Sequence, residues 1–164
     1  MTAERDDMAE KDEWGAQVSG AVAALMRRST RAHLYGVLTE GVGPGINEAT
    51  YPVLSGLART GPRSAAALAS EVGIDRSVTS RHATRLEKAG LLRREPDPSD
   101  RRATLLVLTA DGERAVEVMR DRLAAAIDDY LGTWDPAEAA AFVTYLRRFT
   151  EEGPWRQGPD GDAD

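Results

Sequence analysis

The chain contains no cysteine. That excludes disulfides, thiolate nucleophiles, cysteine-ligated metals and thiol-based redox sensing. Histidine is nearly as scarce: His33 and His82 are the only two, too separated to argue for a metal site. No uninterrupted apolar stretch approaches the roughly 18–20 residues of a membrane-spanning helix, so no membrane partner is expected. The opening segment MTAERDDMAEKDEW lacks the basic n-region and apolar h-region of a secretory signal, and a cytoplasmic location is expected. The glycine cluster GVGPG (41–45) lacks the six-residue spacing of a phosphate-binding loop, and no strand precedes it. With no supported Ser/His/Asp arrangement either, the expectation is a protein that is not an enzyme and carries no cofactor.

What is present suits one domain with a sizeable core: 164 residues, 41% hydrophobic and 29% charged. The formal net charge is -6, but it is unevenly spread. From Arg59 to Arg102 ten basic residues stand against six acidic ones, whereas the remainder carries 11 basic and 21 acidic residues. An acidic chain with a basic centre can still bind a polyanion locally, although charge also fluctuates along any sequence.

Residues 1–13 and 151–164 read as disordered tails, the first polar and the second rich in Gly, Pro and Asp. A helical periodicity runs from Trp14 to about Thr39 and stops at GVGPG. A second helix follows with Asn47 as N-cap and Pro52 one turn in. A third is capped by Ser64 and ended by Gly73, and a fourth is capped by Asp75 and ended by Gly90. Strands are expected at about 91–95 and 103–108, then a long amphipathic helix at about 110–131 and a last one opened by Asp135-Pro136.

The third and fourth helices carry the functional argument. In LASEVGIDRSVTSRHATRL, Ala69 permits close helix approach, Gly73 supplies a turn and Asp75 caps a new helix: the helix-turn-helix layout. At 100° per residue, Thr79, His82, Ala83 and Leu86 share one side of the fourth helix. Ser77, Arg81, Thr84 and Lys88 share the opposite side, flanked by Val78 and Arg85. Such a basic, hydroxyl-rich face offers the groups that reach base edges and phosphates, although it would also suit an ordinary solvated helix. Directly afterwards LLRREPDPSDRRATLLVLT reads as strand, turn, strand, with Arg101 and Arg102 at the tip, and Asp100 is placed to orient the Arg102 guanidinium. A hairpin beside a recognition helix can enter the adjacent minor groove, whose negative potential attracts arginine. The bland alternative is a charged hairpin that resists aggregation.

The segment IDRSVTSRHATRLEKAGLLRREPDPSDRRATLLVLTADG resembles the MarR family of winged helix-turn-helix transcriptional regulators. Leu86-Glu87-Lys88-Ala89-Gly90-Leu91 closes the recognition helix as in that family, Asp100-Arg101-Arg102-Ala103 is similar to its wing-tip motif, and LVLTADGERA to its strand-to-helix entry. The resemblance runs from about Trp14 to Thr150. It implies a mainly α fold with a small β-wing: a winged helix-turn-helix lobe (46–109) between an N-terminal dimerisation helix (14–40) and C-terminal dimerisation helices (110–150). It also implies a homodimer, a palindromic double-stranded DNA site, repression as the usual outcome, and a small-molecule effector. Ser77, Val78 and Arg81 would face the major groove, Arg76, Ser80 and Arg85 would meet phosphates, and Arg102 would be the wing arginine with Arg101 beside it. A ligand cleft would draw on Trp14, Arg28, His33, Tyr35 and Tyr51. Thr79 and Ala83 stand where the family usually has larger apolar residues, so looser packing of the recognition helix is expected. A winged-helix module that binds another protein instead of DNA is the alternative.

Overall fold

A computed structural model describes residues 2–100 and 102–154, with side chains described from Glu13 onward. Capping chemistry sets most helix boundaries. The element order is α1 (Thr2–Met26), α2 (Arg28–Thr39), α3 (Tyr51–Thr60), β1 (Arg63–Ser64), α4 (Ala65–Val72), α5 (Arg76–Lys88), β2 (Leu92–Pro96), β3 (Thr104–Leu108), α6 (Ala110–Leu131) and α7 (Pro136–Glu152). The chain divides into two units, Met1–Asp121 and Arg122–Asp164.

In the first unit Ser64 caps α4 by accepting the Ala67 N–H at 3.2 Å, and Gly73 ends it in the left-handed conformation (φ 67°, ψ 36°) that side chains resist. Two residues later Asp75 caps α5, its carboxylate accepting the N–H groups of Ser77 and Val78. The helix-turn-helix is thus closed by local bonds at each corner. The inner face of α5 is Thr79, Ala83 and Leu86, each 0% exposed. Burying Leu86 alone stabilises the lobe by about 1.5–3 kcal/mol. The Thr79 hydroxyl, buried with them, donates to the Asp75 carbonyl at 3.1 Å. Thr79 and Ala83, where looser packing was expected, are both fully buried, and the one polar group is satisfied.

Around this face lie Val53, Leu54 and Leu57 of α3, Leu68 of α4, Leu92 and Leu106 of the sheet, and Ala115, Val116 and Met119 of α6. The sheet is antiparallel in the order β1-β3-β2, with Leu92 opposite Leu108, Arg94 opposite Leu106, and Arg63 also opposite Leu106. The two residues of β1 were not anticipated, because so short a strand has no periodicity to read. Where α6 begins, Thr109 donates its N–H to the Leu91 carbonyl and its hydroxyl to the Gly90 carbonyl at 2.7 Å. The helix passes so close to this turn that a Cβ on Gly112 would stand 2.0 Å from the Leu91 oxygen.

Three expectations are corrected. The helix expected to begin at Trp14 begins at Thr2, so the N-terminal tail is helical: it holds no glycine or proline before Gly15 and is rich in Ala, Glu and Met. The helix expected to run unbroken to Thr39 is interrupted at Arg27, which is extended (φ -58°, ψ 138°) and followed by the weaker helix formers Ser29 and Thr30. Asn47 caps a turn ahead of α3, accepting the N–H groups of Ala49 and Thr50, and α3 itself starts at Tyr51. Of the C-terminal tail, Glu151 and Glu152 close α7, and residues 155–164 lie outside the described residues.

In the second unit Asp135 caps α7 through the Ala137 and Glu138 N–H groups, with Pro136 at the first helical position. Trp134 packs edge-on against Tyr130 and obliquely against Phe142, with ring centroids 5.7 and 5.2 Å away.

Candidate nucleic-acid interface

On α5 the outward residues emerge where the helical wheel puts them. Arg76, Ser77, Arg81, Arg85 and Lys88 are exposed, while Val78 and Ser80 are half-buried at the margin. Asp75 serves the helix start: the Ser77 hydroxyl, and then the Ser77 and Val78 N–H groups, hold its carboxyl below the usual carboxylate range. Its negative charge is thus spent on the helix N-terminus.

The turn between β2 and β3 is built from its own side chains. Asp97 accepts both the N–H and the hydroxyl of Ser99, at 2.8 and 2.6 Å, which keeps its carboxyl below the ordinary range. Asp100 accepts the Arg102 N–H at 2.9 Å, and Asp97 donates its own N–H to the Ala103 carbonyl at 3.0 Å. The expected role of Asp100 is corrected here: its carboxylate holds the backbone of Arg102, because an Asx turn places that N–H within closer reach than the end of a long side chain. Arg102 itself is exposed at the tip, and Arg101 lies outside the described residues.

One connection between wing and helix was not read from the sequence. Arg94 of β2 donates from Nε to Glu87 Oε2 at 3.0 Å and from Nη2 to Thr84 Oγ1 at 3.2 Å. Thr84, expected on the open basic face, in turn donates to the Ser80 carbonyl at 3.0 Å, so its hydroxyl is committed on both sides. Strand alternation held the signal: Arg94 shares a sheet face with buried Leu92, two residues before it. Chemically, this side of the lobe presents guanidinium and hydroxyl groups whose nearest carboxylates are engaged in the α5 cap, in the turns of the wing or in the Arg93 and Arg94 ion pairs. It is a surface suited to a polyanion.

Of the five residues considered for a ligand cleft, Arg28, Tyr35 and Tyr51 come together, whereas His33 and Trp14 stand apart. Arg28 and Tyr35 line a cleft of about 310 Å³ together with Arg31, Glu48, Pro52 and His82. Tyr51 joins this group indirectly, its ring 4.5 Å from that of Tyr35; burial and then the neighbouring Tyr35 raise its phenol above the ordinary range. His33 lines a different, wider groove with Gly36, Glu40 and Asn47. Trp14 stands 55% exposed on α1. Arg31 and His82 were missed, although Arg31 follows Arg28 by three residues and so shares its helix face. His82 is held below the ordinary histidine value, first by desolvation and then by Arg81 and Arg85. Among the described residues no group of acidic or imidazole side chains could hold a metal, and no helix is long and apolar enough to cross a membrane.

Comparison with known proteins agrees with this geometry. The sequence model of the MarR family matches residues 45–103, from the loop before α3 to the wing. A proposed transcriptional regulatory protein for the hcr operon of Thauera aromatica is 31% identical over 110 residues, covering 67% of this chain and 64% of its own length, so this chain spans less than two thirds of that relative. Among solved structures, BpsR of Bordetella bronchiseptica, whose DNA binding is regulated by 6-hydroxynicotinic acid, is 30% identical, with 79% of this chain and 98% of that one covered and a TM-score of 0.53. The transcriptional regulator Tm0710 of Thermotoga maritima is 30% identical, with 66% and 76% covered and a TM-score of 0.56.

Proposed function

This chain belongs to the MarR family of transcriptional regulators, and on that premise we propose that it is a repressor that binds a palindromic double-stranded DNA operator as a homodimer. The observation that carries the reading is the pairing of one open basic helix face with one arginine-tipped wing on the same lobe. Ser77, Val78 and Arg81 address base edges in the major groove; Arg76, Ser80 and Arg85 meet phosphates; Arg102, with Arg101 beside it, enters the minor groove. None of these groups forms a nucleophile-and-base constellation, and the chain acts by binding, not by catalysis.

Dimerisation is supported by apolar residues left uncovered in the single chain. Val18, Leu25 and Met26 of α1 are 43%, 68% and 62% exposed, and Phe142 and Leu146 of α7 are 40% and 46% exposed. Patches of this kind mark association surfaces. A small-molecule effector fits the cleft of Arg28, Arg31 and Tyr35, where two guanidinium groups and a phenol would receive an anionic aromatic compound.

Selection of duplexes from a random library, followed by footprinting, tests the proposal. The selected sites should be imperfect palindromes with half-sites roughly 10 bp apart. If each protomer engages phosphates through Arg76 and Arg85, the slope of log K against log salt should be about -4. Failure to enrich any duplex, with capture of a protein partner by the same face, would support the interaction-module alternative.

A further inference from the structure

We infer that Arg94 is a specificity-determining positioning residue: it brackets the wing to the recognition helix, and so sets the spacing at which helix and wing read a single site. The inference rests on the DNA-binding reading above. The bracket has two arms from one guanidinium, Nε to Glu87 at 3.0 Å and Nη2 to Thr84 at 3.2 Å, and Thr84 carries the second arm on to the Ser80 carbonyl. It therefore ties β2, three residues before the wing turn begins at Asp97, to the last two turns of the helix that presents Arg81 and Arg85.

Glu87 makes the case sharper. A carboxylate in the last turn of a helix opposes the helix dipole, and a carboxylate beside a DNA-facing surface opposes the ligand. Glu87 is unfavourable on both counts unless its partner matters. The Arg94–Glu87 side chains are 32% and 38% exposed, against 53% and 47% for the neighbouring Arg93–Glu95 pair, so this is the more sheltered of the two. Half-exposed pairs contribute little to folding, and a geometric role is what remains for it. The planar fork is also the feature that lysine lacks: an ammonium is a point charge without two fixed donor directions.

Two variants separate a bracket from a simple phosphate contact. Arg94→Lys keeps the charge and loses the fork. Glu87→Gln removes the negative charge and loosens the fork. Affinities for a selected operator and a scrambled duplex are measured by fluorescence anisotropy, with circular dichroism and urea midpoints as folding controls. The bracket requires that both variants lose about tenfold in the operator-to-scrambled ratio while scrambled binding stays within twofold of the native protein. If Arg94 were a phosphate contact restrained by Glu87, Glu87→Gln would tighten binding to both duplexes and leave the ratio unchanged, and the inference would be overturned. Hydrogen exchange in the free protein supplies a readout independent of DNA. Arg94→Lys should speed exchange at the paired β2 and β3 amides and leave α3 amides unaffected, and unchanged wing exchange also overturns the bracket. A native protein that prefers no duplex, yet shows the exchange change, would defeat the DNA-binding reading and the specificity role while leaving the bracket as a structural link.

Discussion

Gly112→Ala sets two effects of opposite sign against each other at the junction between the wing and α6. Alanine is favoured over glycine in a helix interior by about 1 kcal/mol, so propensity alone raises stability. The structure argues the reverse. The added methyl carbon would stand 2.0 Å from the Leu91 carbonyl oxygen and 3.2 Å from a Leu108 methyl group. The first is a backbone atom at the turn that ends the recognition helix, and it cannot swing aside as a side chain does. The first turn of α6 must lift by about an ångström, which strains the two bonds from Thr109 to the Leu91 and Gly90 carbonyls. Each lost bond costs about 0.5–1.5 kcal/mol, and overpacking a dense site costs about 1–3 kcal/mol. After the helix gain is set against these, a net destabilisation of about 2–4 kcal/mol is expected. With a urea m-value near 2 kcal/mol/M, the midpoint should fall by about 1–2 M. Because stability of a dimer depends on concentration, both proteins are compared at one protein concentration. A midpoint equal to or above that of the native protein would refute the claim that this approach is tight.

Arg81→Ala should cost on the order of 1–3 kcal/mol on the operator and relax preference at one base pair per half-site, as seen by anisotropy on single-base variants. Arg102→Ala should weaken binding to operator and scrambled DNA alike and flatten the preference for A·T-rich flanks; full retained affinity in a folded variant would mean the wing does not reach DNA. His82 has a folded-state value below its ordinary one, so below about pH 6.5 the unfolded chain binds a proton that the folded chain resists. Its contribution to stability is therefore complete above that pH and is lost as pH falls toward the folded value, and His82→Gln should reduce the drop in urea midpoint between pH 7.5 and 5.5. Light scattering at micromolar concentration should give twice the chain mass, and a Phe142→Glu, Leu146→Glu double variant should shift it toward the monomer.

What could be read from the sequence was what neighbours in the chain decide among themselves. Ser64, Asp75 and Asp135 cap helices whose N–H groups lie two or three residues away, and Gly73 bends the chain at its own φ. The buried side of α5 follows from a 100° step, and the antiparallel wing from two apolar runs around a turn. The break at Arg27 escaped notice because neither proline nor glycine marks it, and the amphipathic periodicity continues across it. The ligand candidates divide differently: Arg28, Tyr35 and Tyr51 come together, and the other two stand apart. Trp14 and His33 were chosen for their chemistry, but whether such residues converge depends on how helices pack, which no local pattern reports.

Arg94 belongs to this last class and shows why it matters for function. Read in isolation, it is one more cation in a basic stretch. Only pairing β2 against β3 puts it on the face of Leu92 and Leu106, and only packing that face against α5 brings Glu87 and Thr84 within reach of its fork. Net charge measures how strongly the lobe attracts a polyanion, whereas sequence discrimination depends on where the attracting groups are held. On the reading proposed above the two tasks fall to different arginines: those exposed on α5 and at the wing tip would supply attraction, and Arg94, paired with Glu87 and Thr84, would keep them in register.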